Sequence, residues 1–312
     1  MLPQLGPAQA VAAPCETVAD WWPRHRSIVA THPDPIHQAI VGGFVADRVA
    51  WAFASGYQAA LRALVPALPA DRVCAFCVTE EDGNTPRALR TTLKRIAGGY
   101  ALDGAKKWTT LGPEGGYFLV AARDGDAAGD RPSLRMVGVD AGTRGLAVTP
   151  MPPTRFAPEL PHARLVFENV ELGSAAILPG DGYDLYVRPF RSVEDIHVQA
   201  AVLAYLMREA QRLDWPTDWR ERLAAVLAAF NQVAHMPAAS AETHVALAGA
   251  LALSAGLIAE AEDHWKANAT DPAALRWHRD RDLLKVAGAA REKRTRRAWE
   301  KLRAGPTDKT EG

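Results

Sequence analysis

The sequence predicts an α+β chain in three parts: a helical N-terminal segment (1–70), an antiparallel, β-barrel-like middle domain (71–180) and a C-terminal four-helix bundle (181–312). Three observations carry this. Apolar residues recur at three- and four-residue steps between 36 and 65, as on a helix face. Short apolar runs alternate with turn residues between 71 and 179. Four helical stretches punctuated by prolines fill 183–303.

In order, Met1–Pro14 is an Ala/Pro-rich tail without a charged n-region or continuous apolar core, so no secretory signal is expected. A short helix is expected over Glu16–Trp22, with Trp21 and Trp22 packing against the bundle. His25, His32 and His37 lack carboxylate or cysteine company at ligand spacing, so no metal site is read there. The helix over 36–65 contains Gly42-Gly43 and Gly56, which interrupt it unless close packing compensates.

Strands are predicted at Val73–Thr79, Thr91–Ile96, Tyr100–Trp108, Tyr117–Ala122, Leu134–Val139, Ala147–Pro150 and Arg164–Val170. Gly98-Gly99 and Asp103-Gly104 read as hairpin turns, and Gly125–Pro132 as a flexible loop. The bundle helices are Tyr183–Leu213, one opened by Pro216-Thr217 and running to Ala234, Ser240–Ala267, and one from the cap Asp271 to Leu302. The third is apolar around much of its circumference, which predicts a buried bundle centre or an oligomer interface.

Composition excludes several classes. Lys+Arg and Asp+Glu both number 36, so no global charge favours nucleic acid or an anionic membrane. No run of about 18 charge-free apolar residues appears, and the expected setting is soluble and cytoplasmic. Three cysteines make no disulfide framework; Cys74 and Cys77, three apart on a strand, point to opposite faces and are read as strand residues. Eleven Lys/Arg against four Asp/Glu between Arg276 and Arg303 make a basic last helix, read as a solvated outer face.

The chemistry-bearing stretch runs from Ala75 to Thr110. Each end is a β-branched and aromatic strand that delivers a Thr to its exit: Cys77-Val78-Thr79-Glu80 and Lys106-Lys107-Trp108-Thr109-Thr110. A flat aromatic flanked by hydroxyls and strand backbone suits a planar, polar-edged ring such as a flavin. With Phe167-Glu168-Asn169-Val170 following in the right order, this stretch resembles the middle domain of the acyl-CoA dehydrogenase and oxidase superfamily.

The resemblance implies FAD as cofactor. Val78 and Thr79 would face the flavin's pyrimidine edge, Trp108 would cover the ring, Thr110 would approach N5, and Phe76 would lie beside the ring. Thr85, in the acidic turn Glu81–Pro86, falls where the family has a Ser contacting the acyl carrier. That turn puts negative charge where a polyphosphate carrier would enter.

The family's Tyr-Glu-Gly base turn is absent, and Glu194 falls within one position of the alternative base on the first bundle helix. The Arg-x-x-Phe-Gly-like loop, whose Arg reaches the flavin diphosphate from a neighbouring subunit, is also absent; Arg220 and Arg222 stand in that region.

The implied function is α,β-dehydrogenation of an acyl thioester by a homo-oligomer. The alternatives are a repurposed, non-catalytic member and a flavin-dependent monooxygenase of the same superfamily. No metal, nucleic acid or membrane partner is expected.

Overall fold

The computed structural model describes residue 6 and residues 13–127, 133–285 and 288–304. The tail expected at Met1–Pro14 and the loop expected at Gly125–Pro132 therefore lie largely outside the described residues.

Three helices precede the sheet: α1 (Val18–Thr31), α2 (Pro35–Phe44) and α3 (Val49–Leu64). A capping box between Thr17 and Asp20 starts α1. The helix runs on through Pro23, beyond the expected Trp22, because Val18, Trp21 and His25 continue one buried stripe past the proline. Trp21 packs on Trp51 and donates to Ser55 Oγ.

Asp34 caps α2 and Pro35 fills its first position. The break between α2 and α3 falls at residues 45–48, not at the glycines, which close packing compensates. A Cβ on Gly43 would strike the Ala201 carbonyl, and one on Gly56 would lie 2.6 Å from Val198 Cα.

The middle domain holds seven strands: β1 (Cys74–Cys77), β2 (Thr92–Ile96), β3 (Gly99–Thr110), β4 (Tyr117–Asp124), β5 (Leu134–Asp140), β6 (Leu146–Pro150) and β7 (His162–Leu172). The sheet runs β1-β4-β2-β3-β7-β6, with β5 on the other edge of β4. It is mixed rather than antiparallel: β1 and β2 both pair parallel with β4.

Burial on both faces of β1 and β4 goes with their parallel pairing. Ala75 and Cys77 of β1 enter the core inside the curled sheet, whereas Cys74 and Val78 enter the core shared with the helices. Cys74 and Cys77 thus occupy opposite faces, as their spacing predicts. Gly98 supplies the positive φ of the β2–β3 turn, but Asp103-Gly104 is a bulge within β3 rather than a turn.

After the sheet, a π-turn (Tyr183–Val187) feeds α4 (Arg188–Arg212), followed by α5 (Thr217–Ala234), α6 (Ala241–Ala267), α7 (Pro272–Asp280) and α8 (Gly288–Ala304). The buried centre is α4, packed on α2, α3, α5 and α6. The apolar α6 instead lies outside, buried along one stripe, with Leu253 62% exposed. By length and composition alone α6 is long and apolar enough to cross a membrane.

The expected fourth helix is in two pieces. Asp280 ends α7 fully buried, where its carboxylate accepts the Ala157 backbone N–H at 2.8 Å and pairs with Arg279.

Candidate functional site

The two strand exits lie side by side, because the Lys107 N–H donates to the Thr79 carbonyl at 2.9 Å. Below them Lys106 is fully buried, with its ammonium 2.6 Å from Glu80. Glu80 also accepts the Arg90 and Thr91 backbone N–H groups. Burial pushes the Glu80 carboxyl up, but the Lys106 charge and the hydrogen bonds from Lys106, Arg90 and Thr91 together outweigh it and hold the carboxyl below its ordinary range.

From this anchored point β3 slips register between Lys106 and Thr109, and Trp108 takes a left-handed φ of 57°. For a bulky side chain that conformation costs on the order of 1–3 kcal/mol. It aims the indole outward, leaving it 46% exposed, with its N–H backbone donor on Met151 Sδ. The Thr79 and Thr110 side chains are half-buried, and neither hydroxyl has a hydrogen-bond partner among the described residues.

His162 joins this surface to a cavity. It sits opposite Thr110 in the β3–β7 ladder, its ring meets Trp108 edge-on at 5.8 Å, and it lines a cavity of about 310 Å³. Phe53 of α3, Phe156 and Leu160 of the β6–β7 loop, and Val198 of α4 give that cavity its apolar walls. The loop is pinned by Asp280 at Ala157, while Glu159 ties Arg48 to Arg279.

Glu194 is presented into this cavity from α4. Burial among apolar walls pushes its carboxyl up to about 7; the adjacent Asp195 adds to the rise and Arg291 opposes it. Burial holds His162 below its ordinary value. The cavity therefore combines a carboxylate that exchanges a proton near neutrality with an imidazole kept neutral.

Of the residues picked out in the sequence, Thr79, Trp108 and Thr110 converge at the strand exits and Glu194 stands in the cavity. Val78 is buried in the helix-facing core, its carbonyl 3.4 Å from Lys106 Nζ. Phe76 packs on Phe190 at 4.3 Å and donates its N–H to the Tyr57 hydroxyl, at the seam of β1 with α3 and α4.

Thr85 is on an exposed turn whose neighbour Asn84 accepts from Arg191. The turn's carboxylates are partnered, Glu81 by Lys107 and Asp82 by Arg90. Arg220 and Arg222 are tied to carboxylates as well, the first to Asp214 and the second to Glu260.

Sequence reasoning missed His162, Phe53, Asp195 and Arg291. Asp195 carried a readable signal as the carboxylate next to Glu194. Two arginines of the basic last helix turn inward to it, so that helix is not wholly a solvated face.

Residues 75–170 match the family described as acyl-CoA dehydrogenase, middle domain. A benzylmalonyl-CoA dehydrogenase from Aromatoleum aromaticum is 38% identical over 88 residues, 28% of this chain and 22% of the relative. The match thus spans about a fifth of that protein's own length.

The fold is similar to butyryl-CoA dehydrogenase from Megasphaera elsdenii, with a TM-score of 0.66, 16% identity, and 85% of this chain and 81% of that one covered. It is also similar to PigA, solved as an FAD complex, with a TM-score of 0.64, 14% identity, and coverage of 85% and 82%. Residues 75–170 thus match an acyl-CoA dehydrogenase middle domain, and the chain as a whole is similar in fold to butyryl-CoA dehydrogenase and PigA.

Proposed function

We propose that the chain is an FAD-dependent oxidoreductase that removes hydrogen across the α,β bond of an acyl thioester. The observation that carries this is the placement of Glu194 in a largely apolar cavity also lined by His162, whose ring meets the uncovered indole of Trp108. The strand exits fit the flat end of FAD: the exposed indole suits a ring face, and the unpartnered Thr79 and Thr110 hydroxyls suit its polar edge. Phe76 and Val78 pack toward the helices rather than at this surface. When bound, FAD supplies the two-electron acceptor.

The protein's own contribution is positional and acid–base. A carboxylate titrating near 7 has the right affinity to accept the α-proton at neutral pH, so Glu194 serves as the base. Phe53, Phe156, Leu160 and Val198 keep water from the reacting carbons. Lys107 and Arg90 offset the acidic turn near Thr85, which softens its repulsion of a phosphate-bearing carrier. The uncovered apolar face of α6 supports assembly from more than one copy.

A second reading, the fold kept without dehydrogenation, is favoured by Arg220 and Arg222, since neither is free for a diphosphate. Anaerobic addition of acyl-CoA thioesters to the FAD-loaded chain separates the two. Bleaching of the flavin absorbance in the native chain, lost in Glu194→Gln with flavin retained, supports dehydrogenation. No bleaching with any acyl thioester would reject it.

A further inference from the structure

We propose that Asp195, gripped by Arg291 and Arg294, is a positioning residue that docks the terminal helix α8 against the cavity and fixes the charge Glu194 faces. The inference deepens the reading of Glu194 as the base and rests on it.

The grip is built from both sides. Arg291 reaches Asp195 Oδ1 through Nε at 3.0 Å and Nη2 at 2.8 Å, and Arg294 reaches Oδ2 through Nη2 at 2.7 Å. Arg294 also donates to Ser192 Oγ and the Arg191 carbonyl, and Arg291 to the Leu284 carbonyl. Asp195 is only 7% exposed. Charge-assisted contacts of this kind are geometrically demanding, which suits them to locating one helix on another.

Asp195 and Arg291 line the same cavity as Glu194, so the grip is part of its wall. Arg291 also borders a second hollow of about 450 Å³ toward α6, sharing Gln199 and Leu284 with the first. Gln199 is itself held by a 2.6 Å bond to Ser254. Were α8 to lift away, Glu194 would lose the wall that separates it from this opening.

The charged and titratable groups around Glu194 are few. Asp195 lies beside it on α4, Arg291 faces it from α8, His162 closes the cavity from β7, and Tyr57 of α3 senses its charge through the helix packing. Asp195 disfavours the Glu194 carboxylate and Arg291 favours it. With both in place the two influences oppose, and burial decides where Glu194 titrates.

The grip therefore predicts opposite responses to its two halves. In Asp195→Asn the repulsion is gone and Arg291 is released, so Glu194 should titrate about one pH unit lower; in Arg291→Gln it should titrate about one unit higher. The readout is the pH titration of the side-chain carboxyl signal in 13C-glutamate-labelled full-length chain without FAD, assigned by its loss in Glu194→Gln. Circular dichroism establishes that each variant is folded.

Shifts of the same sign, or none, in folded variants would overturn the electrostatic half. Limited trypsin digestion tests docking: cleavage within 288–304 should accelerate several-fold in Asp195→Ala, and unchanged protection would overturn it. Opposite shifts together with no acyl-thioester bleaching would leave the positioning role intact while rejecting Glu194 as a dehydrogenation base.

Discussion

At the scale of single residues, the candidate site depends on groups held in states they would not choose in water. Glu194 is the clearest. Its folded pKa near 7 lies above the ordinary 4.5, so the folded state resists its ionisation. The penalty is absent below the unfolded pKa and grows as pH rises through 7. Glu194→Gln should therefore be more stable than the native chain by about 2 kcal/mol at pH 8, allowing for partial exposure to the cavity, with the difference vanishing near pH 4. Urea denaturation at the two pH values checks this.

His25 and His197 carry the opposite sign. Burial holds them near 3 and 4, so their stability is fully present above 6.5 and is lost as pH falls. At pH 5 each should cost about 2 kcal/mol, and His25→Phe should flatten that acid limb of the stability curve.

Trp108 was legible as a flat aromatic from its spacing to Thr110. Its left-handed backbone and outward aim were not, because a bulge is set by the register of β7 opposite it.

At the scale of elements, the α2–α3–α4 contact does most to place Glu194. Gly43 and Gly56 bring two helix backbones onto α4 beside Ala201 and Val198, one to two turns along from Glu194. Gly56→Val should destabilise the chain by about 3 kcal/mol, read from the denaturant midpoint. Gly249→Ala, on the open face of α6 with nothing within 4 Å, should be neutral or mildly stabilising.

The sequence patterns located all seven strands, since turn residues and β-branched runs are local signals. They missed the parallel pairing of β1 and β2 with β4, although Cys74–Val78 and Tyr117–Ala122 read as nearly continuous apolar runs. Such runs mark strands buried on both faces, and an alternating pattern was the wrong template for them. The burial of α4 rather than α6 was missed for a related reason. Polar residues of α4 such as Gln199 and Arg212 are satisfied by partners distant in sequence, Ser254 and Asp271, and Glu209 is paired with Arg212 on the same helix. Hydrophobic periodicity cannot register that.

At the scale of the whole molecule, the candidate site is assembled from all three regions of the chain. The middle domain supplies Thr79, Trp108, Thr110 and His162, α3 supplies Phe53, α4 supplies Glu194, and α8 closes the wall through Arg291. The resemblance singled out Thr79, Trp108, Thr110 and Glu194, which lie on contiguous stretches of sequence, but not His162, which comes from the distant strand β7. It could not locate the walls, which come from segments far apart in the chain.

The claim on which the rest depends is that the strand exits form a seat for a flavin ring under the Trp108 indole. Equilibrium titration of the purified chain with FAD, followed by the visible flavin bands, tests it directly in the native protein and in Trp108→Ala. Saturable binding that weakens by about 10- to 100-fold in the variant, corresponding to a lost stacking contact of about 1–3 kcal/mol, is the predicted result. No binding by the native chain, or equal affinity with and without the indole, would contradict it.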